Sequence, residues 1–80
     1  MAHPKTDTEW IERASRYLKA QLKHQDVTYG DLAERLKKYG YNGETKASIA
    51  NKLARGTFPA PFFLACLVAI GIETVRLEDV

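Results

Sequence analysis

The length, composition and charge of the chain limit what the protein can be. Its 80 residues suffice for one domain only, because each half of a divided chain would bury too little apolar surface to be stable. The formal net charge is +2, but residues 13–58 hold ten Lys and Arg against four acidic residues. This central segment, at +6, suits a polyanionic partner, although solvated helix faces also explain scattered charge.

Cysteine usage and apolar runs indicate a cytoplasmic protein. Cys66 is the single cysteine and lies in an apolar run from Phe62 to Ile70, so we expect it to be a small buried hydrophobic residue. That run is too short to cross a bilayer, and residues 1–5 lack the apolar stretch of a secretory signal. We expect no membrane contact, no metal and no other cofactor.

The first predicted helix runs from about Glu9 to Gln25. Apolar residues spaced three and four apart predict one side that faces the core. They are Ile11, Ala14, Leu18 and Leu22, flanked by Trp10 and Tyr17. The opposite side carries the cations Arg16, Lys19 and Lys23. Residues 1–8, ahead of this helix, are expected to be disordered.

The second predicted helix begins at Thr28, whose hydroxyl can accept a hydrogen bond from an unpaired backbone N–H. Asp31, three residues on, complements the positive end of the helix dipole. The predicted core residues of this helix are Leu32, Ala33 and Leu36. Gly40 can adopt the left-handed conformation that ends a helix.

The third predicted helix begins with Thr45 as its cap and runs to Arg55, where Gly56 ends it. Its predicted core residues are Ile49, Ala50 and Leu53. Its outward residues are small, positive or able to donate a hydrogen bond, as a helix facing a DNA groove requires. They are Lys46, Ala47, Ser48, Asn51 and Lys52. The same composition is also that of an ordinary solvated face.

The fourth predicted helix follows Pro59 and Pro61, because proline at the first helical position loses only an N–H that would be unpaired. It runs to Ile70, where Gly71 ends it, and is apolar nearly all round. We therefore expect it to be the central, buried helix.

The C-terminal tail, residues 73–80, places Val75 and Leu77 in the alternation of a short strand. An isolated strand is not stable in water, so the tail either packs on the helices or pairs with the same tail of a second chain. We favour the second arrangement, a homodimer formed through Val75 and Leu77.

Two capped helices joined by a turn are typical of a helix-turn-helix, in which the second helix enters the major groove. The residues resemble the lambda-repressor-like (XRE-type) helix-turn-helix family. The matching segments are Thr28–Ala33, Thr45–Asn51, Arg55-Gly56, Pro59 and Ile70–Ile72. The sequence is also similar to small bacterial proteins that are classed only as a domain of unknown function.

The first resemblance implies an all-α, four-helix domain over residues 9–72 that binds double-stranded DNA. The residues it places at base edges are Lys46, Ala47, Ser48 and Asn51. Those expected at phosphates are Thr28, Tyr29, Lys52 and Arg55. Tyr29 stands where the family often has a glutamine that contacts phosphate. The implied function is that of a small bacterial transcriptional regulator, either sequence-specific or architectural.

The residues bear on two other functional classes. An enzyme is not expected, because His3 lies in the predicted disordered end, His24 lies on a polar helix end, and no pair of carboxylates is isolated in an apolar setting. A protein-interaction or adaptor module on the same scaffold is the alternative. The aromatics near the turns favour it, unless they pack as lids on the core. They are Tyr39, Tyr41 and Phe58.

Overall fold

The computed structural model describes residues 3–80. Helix α1 spans Asp7–His24, α2 spans Tyr29–Leu36, α3 spans Lys46–Arg55 and α4 spans Ala60–Ala69. Short 3-10 helices cover Lys37–Tyr39 and Leu77–Asp79, and no strand occurs within the described range. The prediction of an all-helical domain with four α-helices is therefore confirmed.

Threonine side chains begin three of the four helices. Thr28 and Thr45 both form capping boxes. In each, the threonine hydroxyl accepts a hydrogen bond from the backbone N–H three residues on, and the side chain of that residue accepts one from the backbone N–H of the threonine. Both caps agree with the sequence prediction. Thr6 caps α1 in addition, accepting from the backbone N–H of Glu9 at 3.1 Å.

Because of the Thr6 cap, α1 begins at Asp7, two residues earlier than predicted. Of residues 1–8, for which we predicted disorder, Met1 and Ala2 lie outside the described residues. Asp7 and Thr8 lie in the first turn of α1.

The three glycines predicted to end helices all have positive φ. Gly56 follows the last residue of α3 with φ of 71°, and Gly71 lies two residues after α4 with φ of 86°. Gly40, with φ of 92°, ends the 3-10 helix Lys37–Tyr39, which continues directly from α2. The left-handed conformation is the one glycine adopts at least cost, so these ends are encoded locally.

One hydrophobic core lies between the four helices, with α2 packed on both α3 and α4, and α1 packed on α3. The largest fully buried side chains are Phe62, Leu18, Leu32, Leu36, Ile49, Leu53 and Cys66. The expected burial of Cys66 is confirmed. Burial, followed by the negative charge of Glu44, raises the pKa of the Cys66 thiol to about 12. The thiol is therefore protonated at neutral pH and a poor nucleophile.

Helix α4 is less buried than predicted. We expected a central helix covered on all sides, but Leu64 and Val68 are 60% and 54% exposed. A domain of this size has a large surface for its volume, and the other three helices leave part of α4 uncovered. One apolar side of α4 therefore faces solvent.

The predicted strand in the tail is wrong. Residues 72–76 have no regular structure, and Leu77 begins a 3-10 helix. The tail returns to α1, where the Arg13 guanidinium donates to the Val80 carbonyl oxygen at 2.8 Å and Val80 packs against the core. A lone strand has no partner for its backbone groups, whereas packing on α1 supplies contacts within the same chain. Val75 and Leu77 are exposed.

Candidate nucleic-acid interface

Helix α3 presents a continuous outward face formed by residues four apart. Ala47, Asn51 and Arg55 are all exposed, and this spacing places them on one side of the helix, opposite the buried Ile49 and Leu53. Residues 45–72 contain no Asp or Glu. The face is therefore small and polar at its centre and positive at its C-terminal end, and its own residues include no carboxylate that would repel phosphate.

Lys46 is the first residue of α3 and is also exposed. Of the four residues expected at base edges, Lys46, Ala47 and Asn51 are accessible to a partner. Ser48 is half-buried and serves the capping box, in which its hydroxyl accepts from the backbone N–H of Thr45 at 2.8 Å.

Ser48 and Lys52 lie on a second side of α3 and share one partner, Glu44. The Ser48 hydroxyl donates to a Glu44 carboxylate oxygen at 2.7 Å, and Lys52 forms an ion pair with the same carboxylate. The Lys52 ammonium also lies 4.8 Å from the centre of the Phe62 ring in α4, a cation–π contact. Lys52, expected at phosphate, thus connects the turn before α3 to α4.

The Glu44 carboxylate is mostly buried, with 10% of its side-chain surface exposed, against 27% for Lys52. Burial by itself raises the pKa of Glu44, but the hydrogen bonds from Lys52 and Ser48 and the charge of Lys52 outweigh it. The pKa of Glu44 is therefore held below its ordinary value. The ion pair is present throughout the neutral range and fixes the start of α3.

Two other residues expected at phosphate stand at the start of α2. Thr28 is exposed, and its hydroxyl accepts from the backbone N–H of Asp31 at 3.1 Å. Tyr29 is half-buried and packs against the core. Thr28 therefore remains accessible, while part of Tyr29 contributes to the fold.

A groove separates α1 from the C-terminal end of α3. Its volume is about 270 Å³, and the cations Arg16 and Lys19 of α1 line it together with Arg55 of α3. Glu12 is the one acidic residue in its wall. The exposed side of α1 was predicted, but its position beside Arg55 was not, since nothing local in the sequence relates residues so far apart.

The aromatics near the turns divide into two groups. Tyr41 and Phe58 pack on Phe62 with ring centroids 5.7 and 5.9 Å apart, so both act as lids on the core. Tyr39 is exposed. Two of the three residues that favoured a protein-interaction surface therefore have a packing role.

Between residues 3 and 80, no helix combines the length and the apolar character needed to cross a bilayer. Within the same range, no three His, Cys, Asp or Glu side chains are grouped so as to hold a metal ion.

Comparison with known protein families gives a match. The profile of a family described as "Domain of unknown function (DUF6471)" matches residues 10–75, which include all of α2, α3 and α4. No curated protein and no solved structure matches the chain. The predicted similarity to proteins classed as a domain of unknown function is confirmed, and the chain belongs to the DUF6471 family.

Proposed function

We propose that the protein binds double-stranded DNA, with α2 and α3 acting as a helix-turn-helix of the lambda-repressor-like type. The observation that carries the proposal is the outward face of α3, where Ala47 and Asn51 are exposed and Arg55 lies at the C-terminal end. Small side chains let a helix approach base edges closely, and asparagine can pair with adenine through two hydrogen bonds. A cation at the end of the face suits the phosphate backbone.

The contacts that hold both ends of α3 support the same proposal. Its start is held by the Thr45–Ser48 capping box and by the Glu44–Lys52 ion pair, and its end is held by Gly56. A recognition helix must be held in position by its scaffold if it is to discriminate between bases. We propose that Lys52 is a positioning residue and that Lys46 and Arg55 provide the cations of α3 that meet DNA.

Fluorescence anisotropy with random duplex DNA over a salt series tests the proposal. We expect log K to fall linearly with log salt, with a slope near −0.9 for each phosphate neutralised, several in total. With duplexes of defined sequence compared in the same assay, Asn51→Ala should change the preference between them by about 1–3 kcal/mol while leaving the slope unchanged. Lys46→Ala should reduce the slope by about 1.

Failure of the wild-type protein to bind at low salt would reject DNA as its partner. An Asn51→Ala variant with unaltered preference between duplexes would reject α3 as the reading element. Arg76→Ala, which removes an exposed cation that is paired with Glu78 in the tail, is the control and should leave both quantities unchanged.

One observation favours the alternative, a protein-interaction module whose partner is a second copy of this chain. Residues 57–72 contain no Asp, Glu, Lys or Arg, and Leu64 and Val68 lie four apart on the exposed side of α4. The exposed residues of α4 carry no charge of their own and so offer nothing to a partner of complementary charge. A two-fold axis, however, would bring the same apolar pair onto itself. A dimer of this kind is compatible with DNA binding through paired half-sites.

Sedimentation velocity distinguishes the α4 face from the tail that we predicted to dimerise. We expect a dimer that Leu64→Glu converts to a monomer, because the substitution places a charge in the apolar contact. Leu77→Glu, at an exposed position in the tail, should leave the dimer intact. The opposite pattern would assign dimerisation to Val75 and Leu77, and a wild-type monomer at all concentrations would reject both surfaces.

A further inference from the structure

From the groove between α1 and the end of α3, we infer a phosphate-binding site formed by Arg16, Lys19 and Arg55. The inference rests on the proposed function in one respect, since the phosphate it assigns to the site is one of the DNA backbone. The groove itself is a feature of the fold and does not depend on that assignment.

Within residues 3–80, none of the three cations forms an ion pair with a carboxylate. Among the described residues, the ion pairs are Lys37–Glu34, Lys52–Glu44 and Arg76–Glu78, and none of them involves Arg16, Lys19 or Arg55. Two guanidinium groups and an ammonium therefore face one groove that contains a single carboxylate, Glu12. Three cations against one carboxylate give the groove a net positive charge that attracts an anion, and arginine matches the geometry of phosphate with two parallel hydrogen bonds.

The floor of the groove is compatible with an anion. The last carbonyl groups of a helix repel negative charge when they are free. Here the buried Ser15 hydroxyl donates to the Leu53 carbonyl oxygen, and the Gly56 N–H donates to the Lys52 carbonyl oxygen at 2.9 Å. Two acceptors at the end of α3 are thus satisfied within the protein.

The size of the groove fits a solvated phosphate. Its volume is about 270 Å³, many times the minimum of about 10–15 Å³ that one water molecule requires. A phosphate group with some of its hydration can enter without rearrangement of the helices. The groove is open on one side, as a site for part of a long polyanion must be.

The position of the groove relates it to the outward face of α3. Arg55 lies eight residues after Ala47, about 12 Å along the helix axis at 1.5 Å per residue. A helix whose first turn contacts base edges therefore brings its last turn to the flanking backbone, where Arg16 and Lys19 of α1 add their charges to that of Arg55.

A pair of double variants with equal charge tests the assignment. Arg16→Gln/Lys19→Gln removes two cations of the groove, and Lys23→Gln/Lys38→Gln removes two exposed cations that lie outside it. Glutamine is a good helix former, so we expect both to fold. We expect the salt slope of DNA binding to become shallower by about 0.9–1.8 in the groove variant, and by less than half as much in the control. Equal changes in the two variants would overturn the site.

A titration with inorganic phosphate, followed by amide NMR, tests the groove without DNA. We expect shifts at the amides of Ser15 and Gly56 in the wild-type protein that disappear in Arg16→Gln/Lys19→Gln. Shifts that persist in this variant, or are absent from the wild type, would overturn the site. If the wild-type protein does not bind DNA but shows the expected phosphate shifts, the proposed function is rejected. The groove then remains a site for a phosphate of another origin.

Discussion

Gly56→Ala is expected to reduce the free energy of unfolding by about 3 kcal/mol, a large part of the total stability of so small a domain. Two effects combine. A side chain at φ of 71° costs about 1–2 kcal/mol. The added Cβ would also lie 2.5 Å from Cγ2 and 3.2 Å from the backbone oxygen of Ile11 in α1, and overpacking of this kind costs about 1–3 kcal/mol. Urea denaturation measures the loss.

Gly40→Ala is the matched control for Gly56→Ala. Gly40 also has a positive φ, 92°, but no atom lies within 4 Å of the position its Cβ would take. We expect it to lose about 1 kcal/mol from backbone strain alone. The double variant Ile11→Ala/Gly56→Ala should be less destabilised than the sum of its single variants, because the clashing methyl group is removed. Equal losses of stability at Gly40 and Gly56 would show that the close approach of α1 to Gly56 adds no cost to the substitution.

Glu44→Gln is expected to destabilise the protein by about 2 kcal/mol at pH 7, because it leaves the half-buried Lys52 ammonium without its counter-charge. Removal of one partner of a fully buried pair costs about 3–5 kcal/mol, and the 27% exposure of Lys52 reduces the effect. Glu34→Gln is the control, since its pair with Lys37 is exposed. We expect that control to change stability by less than about 0.5 kcal/mol.

The effect of Glu44→Gln should depend on pH in a defined direction. The pKa of Glu44 is lower in the folded protein than its ordinary value of 4.5, so the carboxylate stabilises the fold above that pH. The contribution is lost as the pH falls through the lower, folded value. Urea denaturation at pH 7 and at about pH 3 should therefore show a difference between wild type and variant that shrinks at the acidic pH. A difference that is the same at both values would contradict the role of the ionised pair.

Because Lys52 is paired with Glu44, a Lys52 variant alone does not distinguish a phosphate contact from a positioning role. A Lys52 variant that binds DNA poorly could have lost a phosphate contact or the position of α3. Glu44→Gln separates these possibilities, since it disturbs the position of α3 without removing a cation. If Glu44→Gln weakens binding with an unchanged salt slope, Lys52 acts by positioning. If it strengthens binding and steepens the slope, release from Glu44 has made Lys52 available to phosphate.

The helices and their ends could be predicted from the sequence because their signals are local. Thr28 and Thr45 cap the helices that follow them, and Gly40 and Gly56 end helical segments within a residue of their predicted ends. The core of α2 and α3 followed from spacing, with Leu32 and Ile49 fully buried, although Ala50 is only half-buried. Capping and periodicity depend on residues within one or two turns of each other, and the sequence contains that information.

The tail shows where such reasoning fails. Alternation at Val75 and Leu77 predicts a strand, but a strand forms only if another segment supplies hydrogen bonds to its edge. Arg13, far away in the chain, instead donates to Val80. Likewise, the apolar composition of α4 correctly predicted a helix, but not that Leu64 and Val68 would face solvent. The composition of a segment shows that it is apolar. It does not show how many other helices will pack against it.

The sequence by itself determined the four helices, the residues that cap α2 and α3, the basic central segment and most of the core, because each depends on neighbours in the chain. Only the tertiary structure decided that Lys52 pairs with Glu44 over Phe62, and that Arg16 and Lys19 join Arg55 in one groove. Charges attract or repel according to distance in space. The packing of α1 on α3, which no local signal encodes, therefore determines which cations remain unpaired and where they converge.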